Sequence, residues 1–308
     1  THIKNGRVID PKSGLDTVQD LYLGDGKVLA FDAPPTGFKA DRTIDATGLT
    51  VSPGWIDVLG HSEYPQISDG RALSKITQGV TSEVTGEVFS VVPVNERTLK
   101  ELGFARNNTV DWKDLNGYFA RLERQGSATN LGTFVTVGSF RRYVMGDVDR
   151  APTPAELEQM KALVAESMQQ GAMGLSSGMI YTPASFAETD EIVALAKVAA
   201  QYGGGYASHI RSEGARLIEA IQEAIAIGEQ SGAWVQVHHI KASGKANWGK
   251  MPLAIATIDE ARARGIDVMV DPTRHACVQV RCIEQARVAV AAQTDAFGGR
   301  ADLRQEGQ

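Results

Sequence analysis

His209 and His239 are the residues whose type and spacing point most directly to chemistry. Each closes a short apolar stretch, Tyr206-Ala207-Ser208-His209 and Val235-Gln236-Val237-His238-His239, and each opens into a polar loop. Strand tips that end in histidine above a polar loop are where α/β barrels keep their reactive groups. Two such histidines from consecutive strand–helix units can face one metal ion. The chain has six histidines, the others being His2, His61, His238 and His275. His238 alternates to the opposite face of its strand and is expected to pack; His2 and His275 are expected to be incidental.

The composition limits the classes to consider. The 308 residues are 43% hydrophobic and 22% charged, ordinary values for a globular protein that buries a large core. A formal net charge of −6 and the lack of a long basic run argue against a nucleic-acid partner. No apolar run approaches the ~20 residues of a membrane span, so no membrane partner is expected. No signal peptide precedes Thr1, yet the first residue is not Met; location stays open, with cytoplasm favoured over periplasm. Cys277 and Cys282 make neither a disulfide framework nor a zinc knuckle.

The elements that must position the histidines follow from hydrophobic periodicity. Residues 1–50 are strand-like and turn-rich, with Asn5-Gly6 predicting a type I′ hairpin and Gly24-Asp25-Gly26 a second. From Leu49 strands and helices alternate. Strands are expected over 50–58 (interrupted at Pro53-Gly54), 81–85, 131–137, 171–176, 206–209, 235–239 and 266–270. Helices are expected over 112–125 (begun by Asp111 or Asp114), 153–170, 186–202, 214–232 and 252–263. Thr153-Pro154-Ala155-Glu156 supplies an N-cap, a proline at the first helical position and an acidic first turn. This alternation predicts a parallel α/β barrel with crossover helices. Seven strands are found. Residues 273–308, rich in Ala, Arg, Gln and Val, read as an aberrant tail without the last βα unit, as in a fragment or a chain read out of frame after about Pro272.

Val51-Ser52-Pro53-Gly54-Trp55-Ile56-Asp57-Val58 resembles the first-strand signature of the amidohydrolase superfamily, PGxIDxHxH. Residues 171–187 (GAMGLSSGMIYTPASFA), 206–213 (YASHIRSE) and 235–249 resemble the N-acyl-D-amino-acid deacylases, or D-aminoacylases. The matches run from residue 3 to 271. This resemblance implies a (β/α)8-type metal-dependent hydrolase barrel over 53–308, its last βα unit missing, beside a small N-terminal β-sandwich segment over 1–52. It also implies zinc at the barrel mouth and hydrolysis of the linear amide of N-acyl-D-amino acids by metal-activated water. The expected partner is therefore a small N-acyl-amino acid, with the oligomeric state open.

Residue by residue, His209 and His239 fall on metal ligands of the family's fifth and sixth strands. His61 is the second histidine of the HxH pattern, and Leu59 stands where the first is expected. Glu87 lies one position from the place of a metal-bridging cysteine and offers zinc an oxygen. Glu87, His209 and His239 then make a three-residue set that leaves one position open for water, most simply around one zinc ion. His61 is expected either to ligate a second ion or to hydrogen-bond near the mouth. Tyr181 matches a tyrosine that polarises the substrate carbonyl, and Lys241 a residue that holds the substrate carboxylate. Arg141, with Arg142, is a further candidate for an anionic substrate. The family's catalytic aspartate ends the eighth strand, before which this chain is expected to stop; Asp271 is the nearest substitute.

Two other functions suit parts of the sequence. Leu59, the altered second-strand ligand and the missing strand suit an inactive metal- or ligand-binding fragment. A cyclic-amide hydrolase, like dihydroorotases or hydantoinases, would use a fourth-strand lysine, and residues 171–178 contain none. Ser176-Ser177-Gly178 lacks the GxSxG elbow of a serine hydrolase.

Overall fold

The structure, a computed structural model, describes residues 1–101 and 110–272. The expected tail, the missing eighth strand, His275 and both cysteines lie outside the described residues. The described residues form two compact units, one of residues 1–54 with 77–79, the other of residues 55–76 with 80–272.

The first unit is a five-stranded sheet. β1 (His2–Asp10) pairs antiparallel with β2 (Leu15–Gly24), which pairs with β3 (Lys27–Phe31). β4 (Thr43–Asp45) and β5 (Thr50–Val51) add in parallel to the other edge of β1. Ile3, Val8, Leu21, Ala46 and Val51 form its buried core. Asp25-Gly26 makes the β2–β3 turn with both residues at positive φ, as the sequence predicts. Asn5-Gly6 does not make a turn. β1 runs straight through it, with Asn5 at φ 62° and the pairing register shifting between Ile3 and Gly6. The dipeptide thus serves a β-bulge, fixed by the Asn5 N–H donating to Asp20 Oδ1 at 3.0 Å.

The second unit has the (β/α)8-type barrel architecture, of which seven strands lie among the described residues. In chain order its elements begin with β6 (Trp55–Asp57), α1 (Pro65–Ser68), α2 (Leu73–Ile76), β7 (Val80–Thr85), α3 (Glu96–Glu101) and α4 (Leu115–Gln125). They continue through β8 (Asn130–Thr133), β9 (Val135–Thr136), α5 (Val137–Val144), α6 (Pro154–Gln169), β10 (Gly174–Gly178) and α7 (Thr189–Gln201). β11 (Gly205–His209), α8 (Leu217–Ser231), β12 (Val235–Ile240), α9 (Met251–Ala263) and β13 (Val268–Pro272) complete it. All barrel pairings are parallel. β8 and β9 form one strand broken at Phe134: β8 pairs with β7, β9 with β10, and the Phe134 N–H donates to Thr85 O at 2.9 Å. The expected strand over 50–58 is likewise divided, β5 joining the first sheet and β6 the barrel.

Local chemistry explains the helix limits. Thr153 and Glu156 close a reciprocal capping box with Pro154 behind the cap. Asp114, not Asp111, caps α4 by accepting from the Gly117 N–H at 2.8 Å. Gly232, left-handed at φ 78°, stops α8. Leu175, Ile192, Leu195, Tyr206, Ile221, Val235 and Val237 are almost fully buried between sheet and helices, which holds the strand tips in fixed relation. Among the described residues no helix is long and apolar enough to cross a membrane.

Candidate metal centre

Three strand ends deliver three side chains to one point, each by its own backbone device. After β7 the chain turns at Gly86, with φ 88°, where an added Cβ would lie 2.2 Å from Phe134 O. The Gly86 N–H donates to Glu63 Oε1 at 2.9 Å and its carbonyl accepts from Ser176 Oγ, so the next residue, Glu87, leaves a fixed turn. β11 ends regularly at His209, paired with Gly178 of β10. β12 carries an irregularity: its register with β13 shifts between Val237 and Ile240, and His239 has φ 36°. A non-glycine residue in this region is strained and persists only where its surroundings hold it.

Glu87 Oε1 lies 2.6 Å from His239 Nε2 and 3.0 Å from His209 Nδ1, and the two ring nitrogens are 2.7 Å apart. Glu87 and His209 are buried, and the His239 side chain is only 15% exposed. Three lone-pair atoms this close repel one another unless a positive charge sits among them. Without a metal that charge is a proton. Burial would lower the His239 pKa, but hydrogen bonds to Glu213 and Glu87 outweigh it and raise it to about 9. Burial likewise would raise the Glu87 pKa, yet its bonds to His209, His239 and His61 hold it well below the usual carboxylate range. Two imidazoles and an ionised carboxylate converging in a buried site fit the donor set of a zinc ion, and these are the described residues that group in this way.

Glu213 completes the centre and was not singled out from sequence. Its Oε1 is 3.0 Å from His239 Nδ1 and forms an ion pair with Lys241 Nζ. A histidine that donates Nδ1–H to a carboxylate keeps Nε2 bare for a metal. Burial would raise the Glu213 pKa, but the bonds from His239 and Lys241 bring it to about 2. The only available signal was its place four residues after His209.

The remaining candidates divide. His61, with a side chain 60% exposed, reaches Glu87 Oε2 at 3.2 Å, on the carboxylate oxygen that the other histidines leave. Tyr181 is 43% exposed, its ring 5.3 Å from that of His209 and edge-on to it. Lys241 lies beside the centre, with Nζ 2.8 Å from His239 Nδ1, but is already paired with Glu213. His238 is buried, as expected, with Nδ1 3.2 Å from Asp271 Oδ1. Leu59 offers no ligand atom.

Two expectations are corrected. Arg141 does not face a substrate: it is fully buried, its guanidinium donating to Glu191 Oε2 at 2.5 Å and to the carbonyls of Val148 and Arg150. The α5 helix turns it into the barrel wall, where a buried carboxylate balances its charge. Asp271 is a poor base for water: burial would raise its pKa, but the contacts with His238, Gln236 and the His239 N–H hold it below the usual carboxylate range. Arg142 donates to Asp147 Oδ1 and to Thr182 O, so it supports the loop of Tyr181.

No protein-family model matches the chain. Among curated proteins it is 34% identical over 272 residues to the N-acyl-D-glutamate deacylase of Alcaligenes xylosoxydans xylosoxydans, covering 87% of this chain and 55% of that protein. It is 32% identical over 263 residues to the D-aminoacylase of the same organism, covering 83% and 53%. Among solved structures it resembles N-acyl-D-glutamate deacylase from Bordetella bronchiseptica, a complex with zinc and a phosphonate mimic of the reaction's tetrahedral intermediate. That match has a TM-score of 0.80 at 32% identity and covers 88% of this chain and 57% of the other. The chain thus spans about half the length of the curated relatives it matches.

Proposed function

Because the chain belongs to the N-acyl-D-amino-acid deacylase family of the amidohydrolase superfamily, we propose that its barrel serves zinc-dependent hydrolysis of the linear amide in N-acyl-D-amino acids. The convergence of Glu87, His209 and His239 carries this reading. Zinc held by these three would lower the pKa of a water to roughly 7 and polarise the scissile carbonyl.

The chain's own residues supply the rest. Glu87 and the two imidazoles would hold the ion, and Glu213, 3.0 Å from His239 Nδ1, would keep that ring in the tautomer that presents Nε2. Tyr181, at the mouth beside His209, donates its hydroxyl to the carbonyl oxygen as negative charge develops there. Lys241 binds the carboxylate of the amino-acid moiety in a charge-assisted hydrogen bond. To do so it exchanges Glu213 for the substrate, so binding loosens a contact that steadies the centre. His61 and Glu87 Oε2 offer the start of a second ion position, although Leu59 leaves it a ligand short; one ion is the simpler occupancy.

A second reading, metal binding without turnover, is favoured by Leu59 and by the engagement of both Asp271 oxygens. One experiment separates the two. Zinc per chain is measured for wild type and His239→Ala, followed by amine release from N-acetyl-D-glutamate and its L-enantiomer. About one zinc, lost in the variant, with D-selective release, is the expected result. Zinc without release selects the second reading, and a folded wild type that takes up no zinc rejects both.

A further inference from the structure

We infer that Asp271 is a positioning residue for His239, a side chain on β13 that holds a strained ligand of the neighbouring strand in its metal-facing conformation. The inference rests on His239 being a metal ligand.

The pairing of β12 with β13 is regular through Val237–Val270 and resumes at Ile240–Pro272. Three steps on β12 therefore match two on β13, which leaves one extra residue in β12. A strand that alternates strictly would send residues 238 and 239 to opposite faces. The extra residue and the positive φ of His239 change where that side chain points, toward Glu87 and His209. Pro272 has no N–H to give to the ladder here, and the irregular stretch must be held by something else.

Asp271 holds it. Its Oδ2 accepts the backbone N–H of His239 at 2.7 Å. Its Oδ1 lies 2.8 Å from Gln236 Nε2 and 3.2 Å from His238 Nδ1. One carboxylate thus spans residues 236 to 239 and bonds the amide of the strained residue itself. Asp271 lies on the ligand's backbone side and touches neither Glu87 nor His209 among its hydrogen-bond partners, so it acts on the metal only through His239.

The test uses zinc affinity, read by chelator competition, and the visible spectrum of the cobalt-substituted protein, for wild type, Asp271→Ala and Asp271→Asn. Loss of a supporting carboxylate is expected to weaken zinc binding about 10- to 100-fold in Asp271→Ala. Its cobalt bands should weaken as a nitrogen ligand leaves. Asp271→Asn, whose amide oxygen still accepts the His239 N–H, should return both to near wild type. Zinc binding within twofold of wild type and an unchanged cobalt spectrum in Asp271→Ala would overturn the inference. Hydrogen exchange of the His239 amide in metal-free wild type decides the matter if Asp271→Ala does not fold. Slow exchange is expected, and exchange as fast as an exposed loop amide rejects the clamp. Wild type that binds no zinc rejects the metal reading, while the amide measurement still judges the clamp by itself.

Discussion

Glu213 Oε1 stands between two partners, 3.0 Å from His239 Nδ1 and ion-paired with Lys241 Nζ. The same oxygen therefore contacts the histidine proposed to ligate the metal and occupies the cation proposed to receive the substrate. Glu213→Ala should weaken zinc binding by roughly tenfold or more, since the His239 ring loses the group that fixes its tautomer. Glu213→Gln keeps a hydrogen-bond acceptor for Nδ1–H and should recover most of the affinity. Equal zinc affinity in wild type and Glu213→Ala would remove Glu213 from the centre.

Lys241 should show its role through substrate dependence. A charge-assisted hydrogen bond contributes about 1.5–3 kcal/mol. Lys241→Ala should therefore raise KM for an N-acyl-D-amino acid roughly 10- to 100-fold. The same variant should leave KM nearly unchanged for the corresponding amino-acid amide, which has no carboxylate. Parallel losses for both substrates would mean that Lys241 acts only by neutralising Glu213.

Arg141 predicts the opposite pattern. Its guanidinium is fully buried against Glu191, and removing one partner of such a pair typically costs about 3–5 kcal/mol. Arg141→Met should lower the midpoint of denaturant unfolding while the folded fraction keeps its KM. A stable variant with a raised KM would restore Arg141 as a substrate contact.

The barrel was legible because its signals are local and repeated: apolar strand cores, capped helices, glycine stops. Thr153-Pro154 and Gly232 end up where their chemistry puts them. His209 and His239 were legible because each closes an apolar run. Glu213 was not, since its partners His239 and Lys241 are brought to it by the next βα unit, and a glutamate in a polar loop carries no mark of that. The bonds of Asp271 to β12 were not legible either, because the irregularity in β12 that engages it has no signature in Val235–Ile240. Asn5-Gly6 misled because a dipeptide that favours positive φ serves a bulge as well as a turn. Arg141 could not be placed, since an arginine paired inside a wall and one facing a substrate look alike in sequence.

Burial of tyrosines predicts a loss of stability at alkaline pH. Tyr206 is fully buried, which raises its pKa to about 12 although hydroxyl contacts with Ser177 and Ser208 work against the rise. Tyr64 and Tyr118 are raised by burial as well. A phenol neutral in the folded state and ionised near pH 10 in the unfolded state stabilises the fold below pH 10. That contribution fades as pH rises through the folded-state value, here between about 10 and 12, by up to about 2–3 kcal/mol for Tyr206. Absorbance at 295 nm should thus show late-titrating tyrosines whose ionisation coincides with loss of far-ultraviolet circular dichroism. A single class of tyrosines near pH 10 with the dichroism intact would contradict this.

Gly86 tests whether the centre depends on backbone placement rather than on ligand identity alone. Its φ of 88° disfavours any side chain, and a Cβ there would lie 2.2 Å from Phe134 O, backbone that is itself bonded to neighbouring strands. Gly86→Ala must displace either the turn or the backbone at Phe134, and movement of the turn carries Glu87 away from His209 and His239. Strain of this kind costs about 1–3 kcal/mol before any clash is counted. The variant should lose stability and zinc together, although every ligand is still present in its sequence. Glu87→Gln, by contrast, removes the charged oxygen without touching the turn, and should lose zinc with the Gly86 bonds to Glu63 and Ser176 still in place. If Gly86→Ala keeps full zinc affinity, the turn does not set the position of Glu87, and the centre owes its geometry to the histidines alone.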